Sequence, residues 1–93
     1  MKKFLSTQVT LEEKLSMKQI ISFFQYEKNY NGSIYILGNH QMISLHDLPG
    51  LVAFSLLTSA DCDVQFVVEG INPEQALEDL QNYLTTDGYY LVN

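Results

Sequence analysis

Residues 43–55 read ISLHDLPGLVAFS, and this stretch predicts a strand that runs directly into a short helix. Residues 43–45 alternate as the end of a half-buried strand does. Asp47 is a favourable helix N-cap, because its carboxylate can accept hydrogen bonds from backbone N–H groups that the first helical turn leaves unpaired. Pro49 suits that turn, since its missing N–H would have no partner there. The stretch therefore predicts a helix of about two turns beginning just after Asp47.

The predicted short helix carries more apolar side chains than one buried stripe can use. These side chains are Leu48, Leu51, Val52 and Phe54. If some of them stay exposed, the apolar cluster beside the charged cap forms a docking surface for a partner. The alternative is that Leu48 and Val52 pack onto the sheet. Both interpretations remain open from the sequence.

The composition indicates a single domain with its own core. The chain has 93 residues, of which 46% are hydrophobic. A single cysteine, Cys62, rules out an internal disulfide framework and a cysteine-based metal cluster, and we expect it to be a packing residue rather than a reactive thiol. The first residues lack the apolar segment of a signal peptide, and no apolar run approaches membrane-spanning length. We therefore expect a soluble cytoplasmic protein.

The charge distribution argues against nucleic-acid binding. The net charge is −6, there is no arginine, and all five lysines lie within the first 28 residues. The chain has eleven acids, and setting aside Glu12, Glu13 and Glu27 leaves eight acids from residue 29 onward. Contacts to a phosphate backbone need a basic face, which this chain lacks. We expect no direct nucleic-acid or membrane partner.

Hydrophobic periodicity and turn signals predict seven elements in the order βαββαβα. Each strand would have one apolar face, so the helices should cover one side of the sheet. We predict an α+β open-faced sandwich, with a four-stranded antiparallel sheet and three helices on one face. The domain should span residues 1–86, followed by a tail at 87–93. The predicted strands are residues 2–10, 33–37, 41–45 and 62–69, and the predicted helix caps are Ser16, Asp47 and Asn72.

Local signals define the first helix and the hairpin. Ser16 and Gln19 have the form of a capping box, in which each side chain accepts a hydrogen bond from the other residue's backbone N–H. Asn31 and Gly32 should end the helix with positive φ angles. Residues 38–40 indicate a hairpin between the second and third strands. The predicted apolar face of the helix is Met17, Ile20, Ile21 and Phe24.

The order and lengths of these elements resemble HPr, the histidine phosphocarrier of the bacterial sugar phosphotransferase system, up to about Leu84. The similarity rests on Gln8-Val9-Thr10 at the end of the first strand and on residues 43–52. It extends to Glu69-Gly70 before Asn72 and to Ala76-Leu77 in the last helix.

Two positions depart from the pattern of that family. The phosphorylated histidine of the family caps the first long helix within a Gly-Ile-His-Ala-Arg-Pro motif, whereas residues 14–19 here read KLSMKQ. Ser16 takes the histidine position and Lys18 the arginine position, so the nucleophile is absent. Ser16 is either a remaining phosphoacceptor or a plain cap, and Lys18 either binds an anion or is an ordinary solvated lysine. Asp47 falls where some members carry a regulatory serine, and is either a partial phosphoserine mimic or a simple N-cap.

The resemblance implies a non-catalytic protein that binds a protein partner, either a phosphotransferase component or a transcription regulator. The partner-binding residues it implies are Ile21, Gln25, Leu48, Pro49 and Val52, together with Lys18. One alternative is a phosphocarrier that uses Ser16, His40 or His46, and another is an HPr-like fold with an unrelated structural or ligand-binding role. We expect no enzyme activity, cofactor or metal, and either a monomer or a weak homodimer.

Overall fold

The computed structural model describes residues 3–85, which form four strands and three helices in the predicted order βαββαβα. The predicted boundary between residues 86 and 87 lies outside the described residues. The strands are β1 (Lys3–Thr10), β2 (Gly32–Gly38), β3 (Gln41–Ser44) and β4 (Asp63–Gly70), and the helices are α1 (Met17–Asn29), α2 (Leu48–Leu57) and α3 (Pro73–Thr85).

The four strands form one antiparallel sheet in the order β1-β4-β2-β3. β4 therefore lies inside the sheet and pairs with all eight residues of β1. Along β4, the side chains of Val64, Phe66 and Val68 are buried, as the alternation predicts. This arrangement confirms the predicted open-faced α+β sandwich.

The core lies between the sheet and the helices. At its centre, the Phe23 ring of α1 meets the Phe66 ring of β4 edge-on, with ring centroids 5.4 Å apart and an angle of 72° between the planes. Neither side chain is exposed. Such edge-to-face contacts stabilise a core beyond the burial of their area. The remaining buried side chains around this pair include Ile20, Ile34, Ile36, Leu45, Leu51, Phe54, Ala76 and Leu80.

The connector between β1 and α1 also contributes to the core, which its charged composition did not predict. Leu11 and Leu15 are only 3% and 4% exposed. Leu11 is fixed by two backbone hydrogen bonds: its N–H donates to the Cys62 carbonyl and its carbonyl accepts from the Asp61 N–H, both at 2.8 Å. These bonds continue the pairing of β1 and β4 beyond the strand ends. Cys62 is partly buried against the core, consistent with a packing role.

The predicted apolar face of α1 is wrong by part of a turn. The residues of α1 that are fully buried are Ile20 and Phe23, whereas Met17 is 54% exposed and Ile21 is 41% exposed. Phe24 packs against the core but is only partly buried. The helix is rotated because the larger Phe23 ring fills the space against Phe66. Met17 and Ile21 are therefore left on the surface.

Several predicted helix ends and turns also need correction. The first helix ends at an extended C-cap, Tyr30, and Asn31 has no positive φ. α2 has 10 residues, nearly three turns rather than two. Asn72 precedes α3 with φ 52°, a left-handed backbone rather than the extended one of a usual N-cap. The hairpin is confirmed, and its turn consists of Asn39 and His40 alone, both with positive φ.

Candidate functional site

Ser16 is the N-cap of α1, in a complete capping box. The Gln19 backbone N–H donates to the Ser16 Oγ at 3.1 Å, and the Ser16 N–H donates to the Gln19 Oε1 at 2.8 Å. The Gln19 Nε2 also donates to the Tyr83 carbonyl at 3.4 Å, which ties the start of α1 to α3. The predicted capping box is confirmed. Its hydroxyl oxygen has a structural task at the helix terminus.

The exposed side of α1 carries a mixed apolar and basic surface. Met17, Ile21 and Gln25 are spaced four residues apart, so they lie along one side of the helix, and all three are exposed. Lys18 is also exposed, and the first turn contains no acidic residue. The positive end of the helix dipole is therefore reinforced by a lysine rather than offset by a carboxylate. This end of α1 suits an acidic partner surface.

Asp47 is the N-cap of α2. Its Oδ1 accepts a hydrogen bond from the Gly50 N–H at 3.0 Å, and the side chain is exposed. The helix continues directly from it, with Pro49 within the first turn. The cap predicted at Asp47 is confirmed, and the negative charge stands at the favourable end of a helix.

Two of the α2 residues implied in partner binding are only partly exposed. Leu48 and Val52 are partly buried and pack against the core, as the packing alternative predicted. Of the α2 residues implied in partner binding, Pro49 is the one classed as exposed. The most exposed apolar side chains of this helix lie at its other end, at Leu56 (66%) and Leu57 (57%). α2 packs against α1 and β3. Pro49 therefore lies on the helix next to α1.

The two histidines occupy different surroundings. His40 lies in the hairpin turn, on a shallow pocket that Gln8 and Asp63 also line. His46 precedes the α2 cap, with its Nδ1 3.8 Å from the Glu27 Oε1. The His46 side chain is 78% exposed and that of Glu27 only 11%. Across residues 3–85, no group of three or more histidine, cysteine or acidic side chains could hold a metal ion.

A cluster of tyrosines joins α1 to α3, and the sequence analysis did not detect it. The Tyr26 hydroxyl donates to the Asp79 Oδ2 at 2.7 Å, and the Tyr30 hydroxyl donates to the Ile71 carbonyl at 2.8 Å. The Tyr83 ring contacts the Tyr26 ring edge-on, with centroids 6.0 Å apart. Tyr26 and the C-cap residue Tyr30 are four residues apart, and this spacing predicts that their side chains lie on the same side of α1. Their partners lie more than 40 residues away in the chain.

Alkaline pH should destabilise this fold through the tyrosine cluster. Burial, and then the hydrogen bond to Asp79, raise the pKa of Tyr26 above its ordinary value, and burial and the charge of Glu74 raise the pKa of Tyr30. The folded protein thus keeps protons that the unfolded chain releases, so the stability is complete below about pH 10 and falls as the pH rises above it. The midpoint of urea denaturation should fall as the pH is raised above about 10, and it should fall less steeply in Tyr26→Phe than in the parent chain. The same dependence of the midpoint on pH in both proteins would contradict this explanation.

Within residues 3–85, no helix is both long and apolar enough to cross a membrane.

Comparison with known proteins supports the fold. No protein-family model and no curated protein sequence matches the chain. Solved structures do match. The phosphocarrier protein HPr from Bacillus anthracis is 22% identical, with a TM-score of 0.69, and the match covers 89% of this chain and 96% of that chain.

Two further solved structures have the same fold. HPr-C-His from Thermoanaerobacter tengcongensis is 15% identical with a TM-score of 0.70, over 90% of this chain and 92% of that chain. The histidine-containing phosphocarrier protein of Mycoplasma is 14% identical with a TM-score of 0.71, over 92% of this chain and 94% of that chain. The chain therefore has the HPr fold along nearly its whole length.

Proposed function

We propose that this protein is a non-catalytic, HPr-like interaction domain that binds a protein partner of the phosphotransferase system or its regulation. The observation that carries the proposal is the serine at residue 16, the position where the resemblance places the phosphoacceptor histidine. The neighbouring structures are named as phosphocarriers, and one as histidine-containing. Here that position holds a serine whose oxygen already caps α1.

The chemistry of serine supports the loss of carrier function. A phosphocarrier must accept a phosphoryl group and release it readily to the next protein. A serine hydroxyl is a weak nucleophile unless an adjacent base activates it. The resulting phosphoester is far less labile than a phosphohistidine. Ser16 therefore suits a helix cap better than a transfer site.

The binding face of the proposed domain consists of Met17, Lys18, Ile21 and Gln25 on α1, with the cap residue Asp47 and Pro49 at the start of α2. Its apolar side chains would supply the buried centre of an interface, and Lys18 would pair with acidic groups of the partner at the rim. Asp47 adds one negative charge to this face. A phosphoserine carries about −1.5 to −2 charges, so this carboxylate could replace only part of such a signal.

Replacement of Ile21 by aspartate should weaken partner binding about tenfold or more, because it places a charge in the apolar centre of the interface. The partners to test are the purified general phosphotransfer enzyme and the carbon-catabolite transcription regulator, each titrated calorimetrically with the full chain. Ile71→Asp is the matched control, since Ile71 is 45% exposed against 41% for Ile21 and follows β4 rather than lying on α1. It should change the affinity less than about twofold.

Two results would contradict this proposal. The first is that neither partner binds the unmodified chain, and the second is that Ile71→Asp weakens binding as strongly as Ile21→Asp. The first result would remove the proposed partners. The second would place the interface elsewhere.

The alternative function is phosphoryl acceptance by His46. The observation that favours it is the exposure of this imidazole, at 78%, beside the partly buried carboxylate of Glu27. A carboxylate close to a histidine can orient the ring. His46 also adjoins the N-terminus of α2, where backbone N–H groups can bind an anion. A phosphorylation assay distinguishes this alternative from the binding domain.

A further inference from the structure

A cleft of about 390 Å³ lies between α1 and α3. This volume is within the range of small-ligand sites, which begins at about 300 Å³. The proposed interaction face and the cleft are separate features that share Gln25 at their border. The residues that line the cleft are Ser22, Gln25, Tyr26, Asn29, Tyr30 and Tyr83.

The cleft has aromatic walls at two orientations. The rings of Tyr26 and Tyr30 are stacked, at 22° with centroids 6.2 Å apart, and both line the cleft. The Tyr83 ring stands at 75° to the Tyr26 ring and forms the other. The face of an aromatic ring carries the negative part of its quadrupole, so rings set at an angle can surround a positively charged group.

Hydrogen bonds hold these rings in place before any ligand binds. Tyr26 donates its hydroxyl to Asp79, and Tyr30 donates to the Ile71 carbonyl. The second carboxylate oxygen of Asp79 accepts from the Gln75 Nε2 at 2.9 Å. A pre-formed site loses little conformational freedom on binding, so even a small ligand can be held there.

The electrostatic surroundings favour a cation. Asp79 lies against Tyr26, and the charges of Asp79 and Glu74 both help to raise tyrosine pKa values in this cluster. Among residues 3–85, no lysine lines the cleft. The last lysine of the chain, Lys28, has its Nζ 5.5 Å from the centroid of the Phe24 ring, on a different side of α1. A cation bound in the cleft would therefore meet the tyrosine rings without a competing amine, and the Asp79 carboxylate lies behind them, outside the cleft lining, hydrogen-bonded to Tyr26.

We propose that this cleft binds an organic cation through its ammonium group, either a free small amine or the side chain of a methylated or unmodified lysine. Quaternary and primary ammonium groups are recognised by aromatic cages of this composition. The proposal does not rest on the proposed interaction function, because Gln25 is the one residue that the cleft lining shares with the proposed binding face.

The test is an NMR titration of the isotopically labelled full chain with tetramethylammonium chloride. We expect saturable shifts in the millimolar range at the backbone amides of residues 22–30 and of Tyr83. Sodium chloride serves as the control for ionic strength, and tert-butanol as a neutral probe of similar size. Neither should produce these shifts. The proposal is overturned if tetramethylammonium gives no saturable shift, or if tert-butanol binds equally well.

A pair of charge-matched variants tests the role of the carboxylate. Asp79→Asn retains an oxygen that can accept from Tyr26 but removes the charge, and should weaken tetramethylammonium binding about two- to fivefold. Glu78→Gln makes the same change in net charge at an exposed position of α3 outside the cleft lining, and should leave binding unchanged. If both variants weaken tetramethylammonium binding equally, the overall charge of the protein explains the effect and the proposal is overturned.

A comparison of ligands distinguishes the two sources of the ammonium group. Choline represents a free small amine, and a short peptide with one trimethyllysine represents a partner side chain. Tighter binding of choline supports a small-molecule site, and tighter binding of the peptide supports recognition of a protein side chain. If both fail while the interaction partners still bind, the cleft proposal falls and the proposed function is unaffected.

Discussion

Replacement of Phe66 by alanine should lower the free energy of unfolding by about 3–5 kcal/mol. Phe66 is fully buried on the interior strand β4 and meets Phe23 edge-on at the centre of the core. Its removal leaves a cavity between the sheet and α1, which the surrounding side chains can fill only in part. Because a domain of this size has about 5–15 kcal/mol of stability, much of the total would be lost.

Urea denaturation followed by circular dichroism measures this loss. Phe4→Ala is the matched control, because Phe4 lies on the neighbouring strand β1 and is 70% exposed. Its replacement should change the stability by less than about 0.5 kcal/mol. Similar losses in both variants would show that the core is not centred on the Phe23–Phe66 contact.

Replacement of Gly70 by alanine should lower the free energy of unfolding by about 1–3 kcal/mol. Gly70 lies directly opposite Gly32 in the β2–β4 pairing, and Tyr30 packs over this position. A methyl group on Gly70 would come within 2.7 Å of both the Asn31 carbonyl and the Tyr30 hydroxyl. The Tyr30 ring or the strand pair must therefore move. The hydrogen bond from Tyr30 to Ile71 would be weakened at the same time.

The exposed residue next to it in the chain provides the control for this variant. Glu69→Ala leaves the strand pairing and the Tyr30 ring undisturbed, so its stability should change by less than about 0.5 kcal/mol. The double variant of Gly70→Ala with Tyr30→Ala should lose less stability than the sum of the two single losses, because the obstructing ring is gone. If Gly70→Ala is as stable as the parent chain, the close packing around the two glycines is not a constraint.

The fold was predictable because its signals are local. The residue types of Ser16 and Asp47 are enough to predict where α1 and α2 begin. The alternation of Val64, Phe66 and Val68 predicts which face of β4 is buried. The choice between Ile21 and Phe23 as the buried residue of α1 is different, because both fit a helical period. The choice depends on where the Phe66 ring lies in the folded protein. The periodicity of α1 carries no information about the position of a residue in β4.

The site was only partly predictable. The capping box at Ser16 follows from the sequence, but the surface position of Ile21 and the partial burial of Leu48 and Val52 depend on how α1 and α2 pack on the core. The tyrosine cleft needs contacts between residues about 50 positions apart, such as Tyr26 with Asp79. A single sequence gives no register between two helices at that separation, so the cleft was visible only in the folded chain.

The central claim is that this chain binds a partner without accepting phosphate at any residue. The most direct test is the intact mass of the full chain after incubation with phosphoenolpyruvate and the general phosphotransfer enzyme, with an ordinary HPr as the positive control. We predict no phosphate adduct on this chain while the control is fully modified. An adduct located on Ser16, His40 or His46 would contradict the account and establish a phosphoacceptor.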